Sequence, residues 1–145
     1  MPTRLNAHEQ PIGEELPDWT PRPRPEPVTI GGCHCRLEPL DPKRHAADLY
    51  AAYASAEDDR DWTYMFVGPY ENEAAYRAQC QVSARSTDPM HWAVIDTALG
   101  KAVGTFSLMR IEPLHGVVEV GHVAFSPLMR RTPVSTEAQF LLMQH

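Results

Sequence analysis

Residues 116–145 read GVVEVGHVAFSPLMRRTPVSTEAQFLLMQH, an apolar run, a short basic turn and a second apolar pattern in succession. The apolar run Val117–Phe125 has the length and composition of a strand. In the turn, Thr132 suits the N-cap of a helix, and Pro133 suits the first helical position, where a missing N–H costs nothing. The segment therefore predicts a strand, a loop and a helix that begins at Pro133.

The predicted helix has one apolar side, and its start faces the basic turn. The apolar side has helical spacing and consists of Val134, Ala138, Leu141 and Leu142. The first N–H groups of a helix lack intrahelical partners, and the helix dipole favours negative charge beside them. Arg130 and Arg131 add positive charge at the same place. This pattern predicts a phosphate cradle, although a strand–helix unit with a basic loop and no ligand would look similar.

Three motifs of this segment resemble the central motif of the GNAT superfamily of N-acetyltransferases, and most closely the branch that acetylates ribosomal-protein N-termini. They are residues 121–127 (GHVAFSP), 130–135 (RRTPVS) and 136–138 (TEA). In that family a bulged strand offers backbone groups to the pantetheine arm of acetyl-CoA. The resemblance implies that backbone groups of Val123, Ala124 and Phe125 hold the pantetheine and polarise the thioester carbonyl.

The same family wraps the pyrophosphate in a Gln/Arg-x-x-Gly-x-Gly/Ala loop. Aligned from the Thr-Glu-Ala end, this loop falls on Arg130, Arg131, Thr132, Pro133, Val134 and Ser135. Both family glycines are replaced, the first by Pro133 and the second by Ser135. Pro133 removes one backbone donor and adds bulk beside the phosphate. The resemblance implies that these six residues bind acetyl-CoA, which serves as the co-substrate.

The rest of the chain supplies the other elements of such a domain. Asp41 and Asn72 are cap signals for two early helices, with an acidic, aromatic loop between them. Residues 28–37 predict a strand pair or a bulged first strand, and apolar runs at 91–96 and 102–111 predict two more strands. The predicted fold class is α/β (α+β), the GNAT fold. It has a mixed, mainly antiparallel twisted sheet of about four strands with helices on both faces.

Composition and charge exclude several classes of function. With 145 residues, the chain suits one domain. Thirteen Lys and Arg against nineteen Asp and Glu give a net charge of −6, which argues against nucleic acid as a partner. No apolar run approaches the roughly 18 residues of a membrane span, and no signal peptide opens the chain. These features predict a cytoplasmic protein without a membrane or nucleic-acid partner.

The N-terminal region differs from the domain that follows it. Residues 1–27 hold seven of the fourteen prolines and few aliphatic residues, so this segment cannot bury enough surface to offset its ordering entropy. We expect an extended arm here that binds a partner, forms a passive leader or packs over the domain, and an ordered domain over residues 28–145. Cys33, His34 and Cys35 lack a second cluster, so no metal site is expected.

Acetyl transfer to an amine needs a base, and the predicted central strand offers two candidates. Glu119 is its only carboxylate, and partial burial between valines would raise its pKa toward neutrality. The resemblance also places Glu119 where several family members have a glutamate base. The alternative is a solvent-facing Glu119 paired with an arginine such as Arg110. His122 is the second candidate base, and a packed or surface histidine is the alternative.

In GNAT proteins, the loop after the first helix helps to form the acceptor side. The candidate substrate-binding residues of this loop are Asp61, Trp62 and Tyr64, with Asp58 and Asp59 beside them. Carboxylates attract a cationic amine and aromatic rings stack on it, so we expect a protein N-terminus, a polyamine or an aminoglycoside-like acceptor. The alternative is a solvated acidic loop in which Trp62 plugs the core.

GNAT domains continue beyond the position of His145 with a fifth strand, another helix and a closing hairpin. The resemblance therefore covers residues 28–145 and the N-terminal two-thirds of the usual domain. We expect a fragment, a truncated product or a domain that another chain completes, with weak catalysis and possible homo-oligomers through the Val117–Phe125 edge. Three hypotheses stay open: an N-acetyltransferase, a non-catalytic module that binds acyl-CoA or protein, and a structural module that pairs through its strand edge.

Overall fold

The computed structural model describes residues 4–145. In chain order its elements are β1 Ile30–Gly31, β2 Cys35–Pro39, α1 Pro42–Ala54, a 3₁₀ turn Asp59–Trp62, α2 Glu73–Arg85, β3 Met90–Asp96, β4 Lys101–Glu112, β5 Val117–Phe125 and α3 Pro133–Gln144. The strands form one sheet in the order β1-β2-β3-β4-β5, and every pair among the described residues is antiparallel. The predicted α+β class is confirmed, and β1 and β2 form the strand pair that was one of the two alternatives for residues 28–37.

The helices begin at the predicted caps. The Asp41 side chain accepts a hydrogen bond from the N–H of Lys43 at 2.8 Å, and Asn72 accepts one from Ala75 at 2.9 Å. Pro133 occupies the start of α3. These side-chain acceptors satisfy N–H groups that have no partner inside the helix, which is why α1 and α2 start where they do.

Helices cover both faces of the sheet because successive side chains of a strand point to opposite sides. On β3, Trp92 and Val94 pack on the side of α3, whereas Ala93 and Ile95 pack on the side of α1 and α2. The apolar stripe predicted for α3 is buried. None of the helices within residues 4–145 has the length and apolarity that crossing a membrane requires.

A buried carboxylate ties β2 to α1. Glu38 is 3% exposed and lies 2.6 Å from Arg36 Nε, 2.5 Å from Arg44 Nη2 and 3.1 Å from His45 Nε2. His45 Nδ1 accepts the N–H of Asp41, so Nε2 carries the proton and donates to Glu38. Burial alone would raise the pKa of Glu38, but these hydrogen bonds and positive charges lower it overall.

A second carboxylate fastens α3 to the first strands. Glu137 accepts hydrogen bonds from the backbone N–H groups of Cys33, His34 and Cys35 at 2.8, 2.6 and 2.8 Å. Gly32 leaves room for it, because a Cβ there would lie 2.6 Å from the Glu137 carboxyl carbon. The Cys-His-Cys triplet therefore serves as an anchor for α3. Within residues 4–145, no group of three or more His, Cys, Asp or Glu side chains could hold a metal ion.

Part of the N-terminal arm packs on the β4–β5 connection. Trp19 Nε1 donates to the carbonyl of Leu114 at 2.9 Å, and the backbone N–H of Arg22 donates to Pro113 at 2.9 Å. The guanidinium of Arg22 lies 4.5 Å from the centre of the Trp19 ring, within the range of a cation–π contact. The extended arm expected over residues 1–27 stays a prediction. Residues 1–3 of the predicted arm lie outside the described residues.

Strand β5 forms one edge of the sheet in the part of the chain that the structure describes. Three of its valines are substantially exposed: Val117 at 52%, Val118 at 44% and Val123 at 38%. An apolar edge with unpaired backbone groups can recruit another strand. The homo-oligomer expected through this edge stays a prediction.

Candidate active site

A bulge interrupts the middle of β5. Two residues of this strand, His122 and Val123, oppose the single residue Phe106 of β4. The φ angle of His122 is +49°, a left-handed value that His, Asn and Asp adopt more readily than other non-glycine residues. At the preceding residue, Gly121, a Cβ would lie 2.2 Å from the sulfur of Met109, so a larger residue would require this side chain to move. The bulge disrupts the ladder hydrogen bonds and re-aims the side chains of β5.

Three depressions lie along this part of the molecule. The α3 groove is lined by residues that include Arg130, Arg131, Ser135, Thr136 and Phe140. The strand-end cleft, of about 240 Å³, is lined by residues that include Asp61, Trp62, Val123, Phe125 and Arg130. The aromatic cavity, also of about 240 Å³, is lined by residues that include Tyr53, Trp62, Tyr70, Tyr76, His91 and His122.

Shared walls join the three depressions into one path. Phe125, Pro127 and Arg130 line both the α3 groove and the strand-end cleft. Tyr53, Trp62, Met65 and Ala124 line both the strand-end cleft and the aromatic cavity. The path therefore runs from the start of α3, along the end of β5, to His122 at the bulge.

The basic loop at the start of α3 forms one end of the path. Arg130 Nη1 lies 2.6 Å from Asp61 Oδ1, so an ion pair joins this loop to the one after α1. Thr132 holds the N-cap position of α3 without capping it, since its hydroxyl donates to the carbonyl of Met129 at 2.7 Å. The side chain of Thr132 therefore leaves the positive end of the α3 dipole open to another acceptor.

His122 at the other end of the path is held in one tautomer. The hydroxyl of the fully buried Ser107 donates to the carbonyl of Gly121 at 3.0 Å. Because that hydroxyl has one proton, His122 Nδ1, at 3.1 Å, must be the N–H donor to Ser107. In the uncharged ring, Nε2 then carries the free lone pair. A residue that lines the aromatic cavity thus has a ring nitrogen ready to accept a proton.

His91 lies beside His122, with 5.3 Å between the ring centres. Burial, and secondarily the neighbouring His122, lowers the pKa of His91 to about 4. His91 is therefore uncharged at neutral pH. Of the two histidines that line the aromatic cavity, His122 is the one whose Nδ1 hydrogen bond is fixed by the sheet.

Tyr53 connects α1 to the bulged strand. Its hydroxyl donates to the carbonyl of Ala124 at 3.0 Å and lies 3.1 Å from the hydroxyl of Thr105. Burial is the main cause of a raised Tyr53 pKa, which keeps the hydroxyl protonated as a donor. The wall shared by the strand-end cleft and the aromatic cavity is therefore fixed by hydrogen bonds as well as by packing.

No protein-family model matches the chain, and no curated protein matches it significantly, but solved structures do. A GCN5-related N-acetyltransferase from Brucella melitensis is 44% identical and superposes with a TM-score of 0.85 over 89% of this chain and 58% of that one. A probable GNAT-family acetyltransferase from Chromobacterium violaceum is 32% identical, with a TM-score of 0.80 over 93% of this chain and 67% of that one. This chain belongs to the GNAT family. It spans 58% of the length of the Brucella protein.

The GNAT resemblance read from residues 121–138 is thereby confirmed, as is the GNAT fold. A proposed ribosomal-protein-serine acetyltransferase from Vibrio cholerae, 12% identical, also shares the fold, with a TM-score of 0.65 over 80% of this chain and 64% of that one. At this identity the likeness concerns the fold alone. The identity of the acceptor therefore depends on the residues that line the site of this GNAT protein.

The GNAT fold brings many of the predicted site residues together. Those that line the strand-end cleft are Asp61, Trp62, Val123, Ala124, Phe125 and Arg130. Arg131 and Ser135 line the α3 groove. Thr132 and Pro133 form the start of α3, and the Val134 side chain is buried in the core, so Val134 has only its backbone to offer a ligand.

Two predicted residues lie elsewhere. Tyr64 is 95% exposed and borders none of the three depressions. Glu119 also lies outside the path and pairs with Arg110 at 2.9 Å, which is the alternative stated for it. Glu119 lies in the regular part of the ladder, opposite Met109, whereas His122 is part of the bulge.

Sequence reasoning missed part of the aromatic cavity. Tyr53 and Tyr76 have helical spacing typical of core residues, and Tyr70 follows a cis Gly68–Pro69 bond in a loop without periodicity. His91 and Ser107 lie on neighbouring strands and reach His122 only through the sheet register. The sequence carries no local signal that these residues share one cavity, since their contacts depend on strand pairing and helix packing.

Proposed function

We propose that this GNAT protein binds acetyl-CoA along the path and transfers its acetyl group to a primary amine. The observation that carries the proposal is the continuity of the path from the basic start of α3 to His122 at the bulge. Such a path suits a long ligand with anionic groups at one end and a reactive group at the other. Acetyl-CoA has this form and supplies an activated acetyl group as a thioester.

Charge and backbone geometry support the phosphate end. Arg130 and Arg131 line the α3 groove, and Ser135 lies one turn into α3 beside them. A helix start favours an anion through its N–H groups and its dipole. Pro133 has no N–H to contribute, so the arginines carry a larger share of the binding than in a glycine loop.

His122 and the bulge support the reacting end. In the proposed reaction, His122 Nε2 takes one proton from the ammonium group, and the freed amine nitrogen forms an amide bond with the acetyl carbon. The thioester C–S bond breaks at the same carbon, and the sulfur leaves with the second amine proton as a thiol. Backbone groups at Val123 and Ala124, beside the bulge, orient the thioester and polarise its carbonyl.

The first test is calorimetric titration of the 145-residue chain with acetyl-CoA, followed by an assay of thiol release with a primary amine. We expect saturable binding and amine-dependent thiol release. Binding without release would instead support a module that holds acyl-CoA and does not catalyse transfer. A chain that binds neither acetyl-CoA nor CoA would contradict the proposal as a whole.

The phosphate end yields a separate prediction. Replacing Arg130 and Arg131 together by Ala should weaken acetyl-CoA binding by about 1–3 kcal/mol, the usual worth of charge-assisted hydrogen bonds. The matched control is Asp61→Asn, which frees Arg130 from its ion pair while keeping the side-chain shape. We expect equal or tighter binding in this control by calorimetry. Unchanged affinity in the double variant would place the phosphate site elsewhere.

A further inference from the structure

The walls of the aromatic cavity are uncharged. Its lining contains four aromatic rings, from Tyr53, Trp62, Tyr70 and Tyr76, together with His91, His122 and neutral side chains. No Asp, Glu, Lys or Arg is among the residues that line it. The lining of the cavity that holds the candidate base therefore contains no carboxylate that could pair with a second ammonium group of an acceptor.

The four rings pack edge to face in a closed cycle. Their centres lie 5.4 Å apart for Tyr53–Trp62, 5.4 Å for Trp62–Tyr70, 5.0 Å for Tyr70–Tyr76 and 5.6 Å for Tyr53–Tyr76. Edge-to-face pairs are the favoured geometry for aromatic side chains and fix each ring against its neighbours. The cavity is thus a preformed apolar space, and its volume of about 240 Å³ exceeds the roughly 150 Å³ that accepts benzene.

Two acidic residues of the loop after α1, near this cavity, are already paired with arginines. Asp61 pairs with Arg130 at 2.6 Å, and Asp58 pairs with Arg60 at 2.6 Å. Burial, the main cause in each case, raises the pKa of Tyr70 to about 12 and lowers that of His91 to about 4, so both are uncharged at neutral pH. An acceptor with several ammonium groups would leave a charge in the cavity without a partner, which is costly.

We propose that the aromatic cavity holds the body of the acceptor and selects a primary amine carried on an apolar or aromatic group, in preference to a polyamine or an aminoglycoside. This inference rests on the proposed function for the site of the reacting nitrogen. His122 meets the amine at one side of the cavity, and the packed rings form a wall against which the rest of the acceptor lies. The expected acceptors have the size of phenylethylamine or hexylamine.

The test compares two acceptors of nearly equal length, hexylamine and diaminopentane. The chain of hexylamine ends in a methyl group, whereas that of diaminopentane ends in a second ammonium group. Binding of each amine to the chain is measured by calorimetry, and acetylation by thiol release. We expect hexylamine and phenylethylamine to exceed diaminopentane by at least about tenfold in affinity and in kcat/KM. Equal or stronger binding and use of diaminopentane would overturn the inference.

A charge-introducing variant sharpens the test. Gln79 lines the cavity from α2, so Gln79→Glu places a carboxylate there with almost no change in shape. We expect this variant to shift the preference toward diaminopentane by about tenfold. The control is Gln81→Glu, two residues away on an exposed part of α2, which should leave the preference unchanged. An equal shift in both variants, or none in Gln79→Glu, would contradict the inference.

These outcomes separate the inference from the proposed function. Amine binding is measured without acetyl-CoA, so the selectivity of the cavity is tested even if no transfer occurs. Acetyl-CoA binding with equal use of both amines would overturn the inference and leave the proposed function standing. Selective amine binding without any acetyl-CoA binding would support the inference and contradict the proposed function.

Discussion

Replacing His122 by Asn lowers kcat/KM for acetyl transfer by about 10²–10⁴-fold, the usual contribution of a general base. Asn suits the test because it tolerates the left-handed φ of +49° found at this position, whereas Ala would add backbone strain. Asn cannot accept the ammonium proton as imidazole does. Acetyl-CoA affinity should change little, because the phosphate end of the path lies at α3. Steady-state thiol release and calorimetry measure the two quantities.

Glu119→Gln is the matched control for this prediction. Glu119 lies outside the path and pairs with Arg110, so its loss removes an exposed ion pair of small energetic worth. We expect its kcat/KM to remain within about twofold of the wild-type value. A large loss in Glu119→Gln together with normal activity in His122→Asn would show that Glu119 is the base.

Replacing Glu38 by Ala destabilises the fold by about 1–3 kcal/mol, the usual cost of leaving a buried hydrogen-bond donor without its acceptor. The side chains of Arg36 and Arg44 are 44% and 61% exposed, so water solvates their charges after the loss, whereas the buried His45 Nε2–H loses its acceptor. Urea denaturation followed by circular dichroism measures the free energy of unfolding. A destabilisation below about 1 kcal/mol would show that the network contributes little.

The pH dependence provides an internal check on Glu38. Its pKa is lowered in the folded state, so the stabilisation is fully present above the unfolded pKa and is lost as the pH falls through the folded pKa. The difference between wild type and Glu38→Ala should therefore shrink in acid. Glu119→Ala, which breaks an exposed pair, should cost no more than about 1 kcal/mol.

The order of elements follows from local sequence signals. Asp41 and Asn72 act as caps through contacts only a few residues away, and the 121–138 motifs carry the family pattern. These features are local, so a single sequence displays them. The two early helices, the strand run and the helix at Pro133 are all found where they were predicted.

The composition of the site depends on contacts that no local pattern encodes. The Asp61–Arg130 pair joins residues 69 positions apart, and its formation depends on how the loop after α1 packs on the end of β5. The orientation of His122 depends on the bulge that includes it, because the extra residue changes how β5 pairs with β4 at this point. Trp62 lines the strand-end cleft, whereas Tyr64, two residues later, points into solvent. The conformation of the loop decides this difference, and no local sequence pattern encodes it.

The binding path itself can be tested by backbone amide NMR of the labelled 145-residue chain during titration with acetyl-CoA. The account predicts that the largest shift changes map to residues 122–125 at the bulge and to residues 130–135 at the start of α3. Residues 113–116 of the β4–β5 connection, at the opposite end of β5 from the path, should change little. Changes centred there, or no changes at saturating acetyl-CoA, would contradict the account.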